Sequence, residues 1–431
     1  MRNAITWSAS PPTLASPLER NLAAAGLALL LVLNVVLIGW WVSGVPVRGL
    51  VAGALMCAVL VAYPQRMMQA IAKFGPVLWL GAGLALLGAV VSLVNGTGLV
   101  EIFVAITEVH IQVAITLLVA VVLSDVAGMR VATMTFVAVI GFSILIGLLQ
   151  FIEVEGAWNL REALGRFQDE EVHLKDAFIH GRPLGLAFSP IQFSTHACLA
   201  FAVFAIVREK YQLATWGKAE ADFAILVAIG ILCMSALISG TRSPILGAAL
   251  FMLIYAVRRP GSTLILLVVF GGAIVALIGP LLLEILQTAQ PRILRTDDNS
   301  ATGRESLFTY GLMLFTNNPL GYGFEFTPSD HWQKYWQEIY TLTNPSGIRT
   351  AELHNYLLNM MNVYGIGLII FLPLIYALLI RAKYVLIFFI PYIVHIMFHN
   401  SGPFWNDTIF WFAVAALALP LGQLDSEQSN Q

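Results

Sequence analysis

Residues 131–151 read VATMTFVAVIGFSILIGLLQF. The run carries no charge and reaches the roughly 20 apolar residues that a helix needs to cross a hydrocarbon core. Similar runs recur along the chain. In the first half they cover Asn21–Ser43, Gly49–Pro64, Pro76–Val94, Ile102–Ser124, Val131–Phe151 and Ala187–Val207. In the second half they cover Phe223–Ser239, Ser243–Val257, Thr263–Leu286, Tyr356–Ile380, Tyr384–Phe398 and Thr408–Leu421. Of the 431 residues, 58% are hydrophobic and only 11% charged. Soluble domains carry roughly 25% charge. The expected class is an all-α polytopic membrane protein with about 12 transmembrane helices, forming a single integral membrane domain over residues 1–431.

Lysine and arginine orient the spans, because positive short-loop residues stay on the cytoplasmic side. With the N-terminus inside, that side receives Arg2, Arg20, Arg66, Lys73, Arg130, Arg208, Lys210, Lys218, Arg258, Arg259, Arg381 and Lys383. The short outer loops receive only Arg48 and Arg242. Both termini are therefore expected in the cytoplasm. The first span is too long for a signal-peptide core and lacks a small-residue cleavage site, so it reads as an uncleaved helix. The fourth span has Glu101, Glu108 and His110 near its start. That leaves open a surface helix that crosses only from about Ile111.

Two long loops fall outside, residues 152–186 and 288–353. The first contains a short amphipathic segment with Trp158, Leu160, Leu164 and Phe167 on one side. The second is too rich in Trp, Tyr and Phe for disorder. Loops this long in a compact protein usually carry function. Cys57, Cys198 and Cys233 all sit in apolar spans, and no Cys/His spacing marks a metal site. No cofactor and no nucleic-acid partner is expected.

Arg182, Arg242, Arg304 and His354 share the outer side. Thr302-Gly303-Arg304 opens a segment in which Leu307, Phe308, Gly311, Leu312 and Phe315 share a helical face. Thr302 would cap that helix and place Arg304 in its first turn, where free N–H groups attract anions. The helix ends at Asn318-Pro319, and Gly321 and Gly323 allow positive φ or close backbone approach. Arg242, in Ser239-Gly240-Thr241-Arg242-Ser243-Pro244, sits at a hairpin tip, either snorkelling to headgroups or turned inward. Arg182, in His180-Gly181-Arg182-Pro183-Leu184-Gly185, stands at the mouth of the sixth span. His354 opens the tenth span beside Asn355. An imidazole there suits a general base, and Asn355 can fix the backbone or bind a sugar hydroxyl. His399-Asn400 forms a second outer His-Asn pair, set aside as a decoy. His196 reads as a core histidine.

In order and spacing, Arg182-Pro183-Leu184-Gly185, Ser239-Gly240-Thr241-Arg242, Thr302-Gly303-Arg304 with Pro319-Leu320-Gly321-Tyr322-Gly323, and His354-Asn355 with Gly365-Ile366-Gly367 resemble the bacterial O-antigen ligases and the O-antigen and exopolysaccharide (Wzy-type) polymerases. They span roughly the second half of the chain. The resemblance implies a metal-independent, inverting glycosyltransferase in the bacterial inner membrane, with its site facing the periplasm. The donor would be a glycan on undecaprenyl diphosphate, and the acceptor a glycan or lipid A-core hydroxyl. Carried over residue by residue, Arg242 and Arg304 would grip the diphosphate and His354 would deprotonate the acceptor. Arg182, Asn355, Thr302 and Gly303 would complete the substrate site. Arg292 and Gly303 match a polymerase spacing of eleven residues, which tilts the reading toward a polymerase.

Elementary chemistry agrees. The leaving diphosphate gains negative charge as the glycosidic bond breaks, and arginine holds phosphate through two N–H groups at any working pH. The rival reading is a transporter or lipid-linked oligosaccharide flippase. Such proteins concentrate ionisable groups near the midplane, whereas here the charge lies mainly in the outer loops.

Overall fold

The computed structural model describes residues 15–42, 45–165, 181–210, 218–258, 269, 299–342, 344–349, 352–405 and 407–417. It is built almost wholly of helices. Six helical runs are long and apolar enough to cross a membrane: Pro17–Val35, Pro64–Val94, Leu99–Ala127, Met129–Phe151, Pro190–Glu209 and Tyr356–Ile396. Three shorter apolar helices, Val47–Ala62, Asp222–Ile238 and Ser243–Arg258, match the second, seventh and eighth expected spans. The ninth expected span and both chain ends lie outside the described residues.

The Leu99–Ala127 helix is the axis of the bundle. Nearly every residue from Gln112 to Ala127 is buried, as an all-round apolar helix must be to leave water. The Pro17–Val35, Val47–Ala62, Pro64–Val94 and Thr408–Ala416 helices pack around it. Polar side chains enter this core too, and one pair bonds across it. Asn34 Nδ2 donates to Leu30 O at 2.8 Å, and its Oδ1 accepts from Thr408 Oγ1 at 2.8 Å, tying the first helix to the last described one. Leu99–Ala127 is continuous, with one π-helical turn at Thr107–Ile111. The residues before Ile111 are therefore not a separate helix but the first turns of this one.

The Tyr356–Ile396 run is too long for one crossing. Its 41 residues would make a straight rod about 60 Å long, twice the thickness of a hydrocarbon core. Yet Asn355 Nδ2, just before the run, donates to Met397 O, just after it, at 2.9 Å. The run therefore folds back on itself, and its two limbs coincide with the tenth and eleventh apolar runs of the sequence. A β-hairpin of two short strands, Trp41–Val42 and Val45–Pro46, joins the first two helices. Arg66 and Asp125 form an ion pair at the far end of the bundle from Asn95 and Gly321.

The loop helices differ in detail from the sequence expectation. The first, Glu155–Gly165, buries Ala157 and Arg161. Trp158 and Leu164 are half-buried, Leu160 is exposed, and Phe167 lies outside the described residues. The second runs from Asn299 to Asn317. It turns Leu307, Tyr310, Gly311 and Leu314 inward, while Phe308 and Leu312 face out. Tyr310 wins an inward place because its hydroxyl donates to Pro328 O at 2.9 Å, which satisfies the one polar atom that its burial would strand.

Candidate functional site

Arg182 is placed by Gln150, a buried residue at the end of the Met129–Phe151 helix. The Gln150 Oε1 accepts from the backbone N–H of Leu184 (3.1 Å) and Gly185 (2.9 Å), and its Nε2 donates to Gly185 O (3.1 Å). Gly185 has φ +58°, and a Cβ there would lie 2.3 Å from Ser143 O. Only glycine lets the chain approach so closely. With Pro183–Gly185 pinned, Arg182 reaches across and its Nε donates to Ser239 O at 3.1 Å.

Ser239 begins the turn that carries Arg242. The hydroxyls of Ser194, Ser239 and Thr241 bond one another, fastening this turn to the Pro190–Lys210 helix. Arg242 is half-buried and caps the next helix, its carbonyl accepting from Ile245 N and Leu246 N. The following residue, Ser243, bonds His395 Nδ1 through its hydroxyl at 2.8 Å, while His395 Nε2 meets Thr195 Oγ1 at 3.0 Å. Both ring nitrogens of His395 are thus engaged, which fits a positioning role. The His399 ring lies 4.3 Å from that of His395, centroid to centroid.

The second loop enters through a backbone clamp. Tyr322 N donates to Asn362 O (2.7 Å), Gly323 N to Val363 O (2.9 Å) and Ile366 N to Pro319 O (2.7 Å). Gly321 permits this contact: its φ is +89°, and a Cβ would meet Gly365 N at 2.6 Å. The clamp lays the Asn299–Asn317 helix against the start of the Tyr356 limb, with Gly311 packed on Leu353 and Leu358. One expectation is corrected here. The helix begins at Asn299, so Thr302 lies within it and is not its cap, and Arg304 falls in the second turn. The free N–H groups belong to the first four residues, so Arg304 acts as a separate cation.

His354 sits one residue before Asn355, whose side chain makes two structural bonds. The Asn355 Oδ1 accepts from Leu358 N (2.9 Å), capping the helix, and its Nδ2 holds Met397. That second bond draws His354 and His399 to the same place. His354 Nδ1 is buried and has no hydrogen-bond partner among the described residues.

The electrostatics couple these groups. The His354 pKa is lowered to about 4, first by burial and then by the Arg304 charge. His399 is held well below its ordinary value, first by burial, then by His395, Arg304, His354 and Arg182. So Arg182, Arg304, His354, His395 and His399 occupy one neighbourhood, and Arg242 stands at its edge between Ser239 and Ser243. Sequence reasoning set His399 aside, and the fold brings it into the centre. His395 lies in the Ile390–Ile396 helix and His399 in the bend just past it, so helical spacing gave no signal for the pair. The supporting residues Gln150, Ser194, Thr195 and Ser243 gave no sequence signal. Among the described residues, no three His, Cys, Asp or Glu side chains gather as a metal-binding set.

Such a site has a definite pH behaviour. The kcat/KM profile reports the free enzyme and kcat the substrate complex. With His354 at about 4, kcat/KM should stay flat from pH 8 down to about pH 5. An anion bound beside Arg304 offsets the charge that depresses His354, so the acid limb of kcat should lie at higher pH than that of kcat/KM. Coincident limbs near pH 6.5 would show that His354 does not feel Arg304.

Residues 225–372 match the family model described as O-antigen ligase. The matched segment holds Arg242, Thr302, Gly303, Arg304, His354 and Asn355, whereas Arg182, His395 and His399 lie outside it. No curated protein matches the chain. The family match, about a third of the chain, supports the O-antigen ligase and polymerase superfamily that the motifs resemble.

Proposed function

We propose that this membrane protein transfers a glycan from undecaprenyl diphosphate to an acceptor sugar hydroxyl at the periplasmic face of the inner membrane. The observation that carries the reading is the convergence of Arg182, Arg304, His354 and His399. It falls in a chain whose 225–372 segment matches an O-antigen ligase family.

The acceptor oxygen attacks the anomeric carbon from the side opposite the diphosphate, which inverts the configuration. The bond from that carbon to the phosphate oxygen breaks, and the electron pair leaves with the lipid diphosphate. Arg304, Arg242 and Arg182 meet the growing negative charge, and fixed positive charge aimed at it lowers the barrier. The acceptor proton passes to a neutral His354. Burial keeps that imidazole unprotonated at working pH, and a diphosphate bound beside Arg304 raises its basicity toward the range a general base needs. Arginines do the work that a divalent cation does in other glycosyltransferases.

A polymerase is favoured over a ligase by the spacing of Arg292 and Gly303, although Arg292 lies outside the described residues. Deletion of the gene tests both levels. Single repeat units left on the acceptor indicate a polymerase. Loss of all long chains with an unmodified lipid A-core indicates a ligase. Unchanged surface glycans would refute glycan transfer.

A further inference from the structure

Away from the arginines, a cavity of about 370 Å³ opens between the Leu99–Ala127 helix, the second loop and the chain before the last described helix. Its volume lies within the roughly 300–1,000 Å³ of small-molecule sites. Its lining has two chemical parts. One is aromatic: Phe324 and Trp405, whose rings are 6.5 Å apart and nearly parallel. The other is acidic: Glu101, Glu108 and Glu325. Glu108 lies in the π-helical turn at Thr107–Ile111, a distortion frequent at functional sites.

The aromatic wall is rigidly placed. Trp405 bonds Gly402 in both directions at 2.8 Å. Next to it, Phe404 N donates to Tyr356 Oη at 3.3 Å, and Tyr356 stands two residues from His354. Behind the wall, Tyr364 meets Trp405 and Phe324 edge-on, and its hydroxyl is 3.0 Å from His110 Nε2. The cavity is thus fixed to the same strip of chain that presents His354 and His399.

This lining is the opposite of the arginine cluster. Carboxylates repel a diphosphate, although the Arg48 charge acts on Glu108 and softens that repulsion locally. Carboxylate oxygens accept hydrogen bonds from hydroxyl or ammonium groups, several each. Aromatic faces cover the apolar C–H face of a pyranose. We propose that this cavity is the acceptor subsite, taking the terminal sugars of an uncharged or amino-bearing glycan and rejecting acidic ones. The proposal rests on the glycan-transfer reading. It adds a division of labour, with cations for the donor diphosphate and an acidic aromatic cavity for the acceptor.

Two binding measurements on detergent-purified full-length protein test it. One probe is undecaprenyl diphosphate without a glycan. The other is the lipid-free oligosaccharide released by mild acid from the host's own surface polysaccharide, followed by saturation-transfer NMR. The wild type should bind both. Trp405→Ala and Glu108→Gln should each weaken oligosaccharide binding at least tenfold and leave undecaprenyl diphosphate binding within about twofold, which also certifies their fold. Arg304→Ala should show the reverse pattern. A wild type that binds the lipid diphosphate but not the oligosaccharide overturns the subsite. Unchanged oligosaccharide binding in both cavity variants does so as well. A wild type that binds no undecaprenyl diphosphate overturns the transfer reading itself.

Discussion

Replacing His354 with alanine is expected to lower turnover by about a hundred- to ten-thousandfold, the usual scale for losing a positioned general base. Donor affinity should change little, since a neutral imidazole contributes no charge to diphosphate binding. His399→Ala is the informative companion. Its ring lies beside His395 and feels Arg304, His354 and Arg182, so its removal disturbs the cluster without deleting the base. A loss of roughly tenfold is expected there, with the pH profile set by His354 retained. The check is turnover and donor affinity for each variant, with folding confirmed by size-exclusion profile. Near wild-type turnover in His354→Ala, combined with abolition in His399→Ala, would transfer the base to His399.

The second large effect concerns Arg304. Arg304→Lys keeps the charge and loses the planar fork that meets two phosphate oxygens at once. If Arg304 holds the leaving diphosphate, the variant should lose about a hundred- to a thousandfold in rate, corresponding to about 2.7–4 kcal/mol of transition-state stabilisation. His354 should still be held low, because lysine supplies the same charge. Arg304→Gln differs in a measurable way: losing the second cause of its lowering should move the acid limb of kcat/KM upward. Wild-type rates for Arg304→Lys, together with an unmoved limb for Arg304→Gln, would reduce Arg304 to a residue on the loop surface.

The helical class was legible because apolar runs announce themselves locally. Residues 131–151 need no context to read as a span, and the structure places a helix at Met129–Phe151. Inward faces were less legible. Phe308 and Leu312 are as apolar as Leu307, but only packing against Leu353 and Leu358 decides which side turns in. Thr302 reads as a cap by residue type, yet the helix already starts at Asn299. The motifs around Arg182, Arg242, Arg304 and His354 were visible as short strings. Their meeting was not, because it depends on long-range bonds such as Arg182 to Ser239 and Asn355 to Met397. His399 was missed for the same reason: nothing near it in sequence says that a hydrogen bond between Asn355 and Met397, 42 residues apart, folds it back to His354.

That fold-back has a bearing on how the protein is made. Chain synthesis delivers Arg182, Arg242 and Arg304 well before the second limb of the Tyr356–Ile396 hairpin. The bond from Ser243 to His395, between residues 152 apart, forms only after that limb has inserted. A nascent chain stalled before it would hold every cation of the cluster, and even His354, with nothing to seat that imidazole. The hairpin therefore closes the cluster, and under the proposed function a half-built protein in the bilayer would be unable to transfer a glycan.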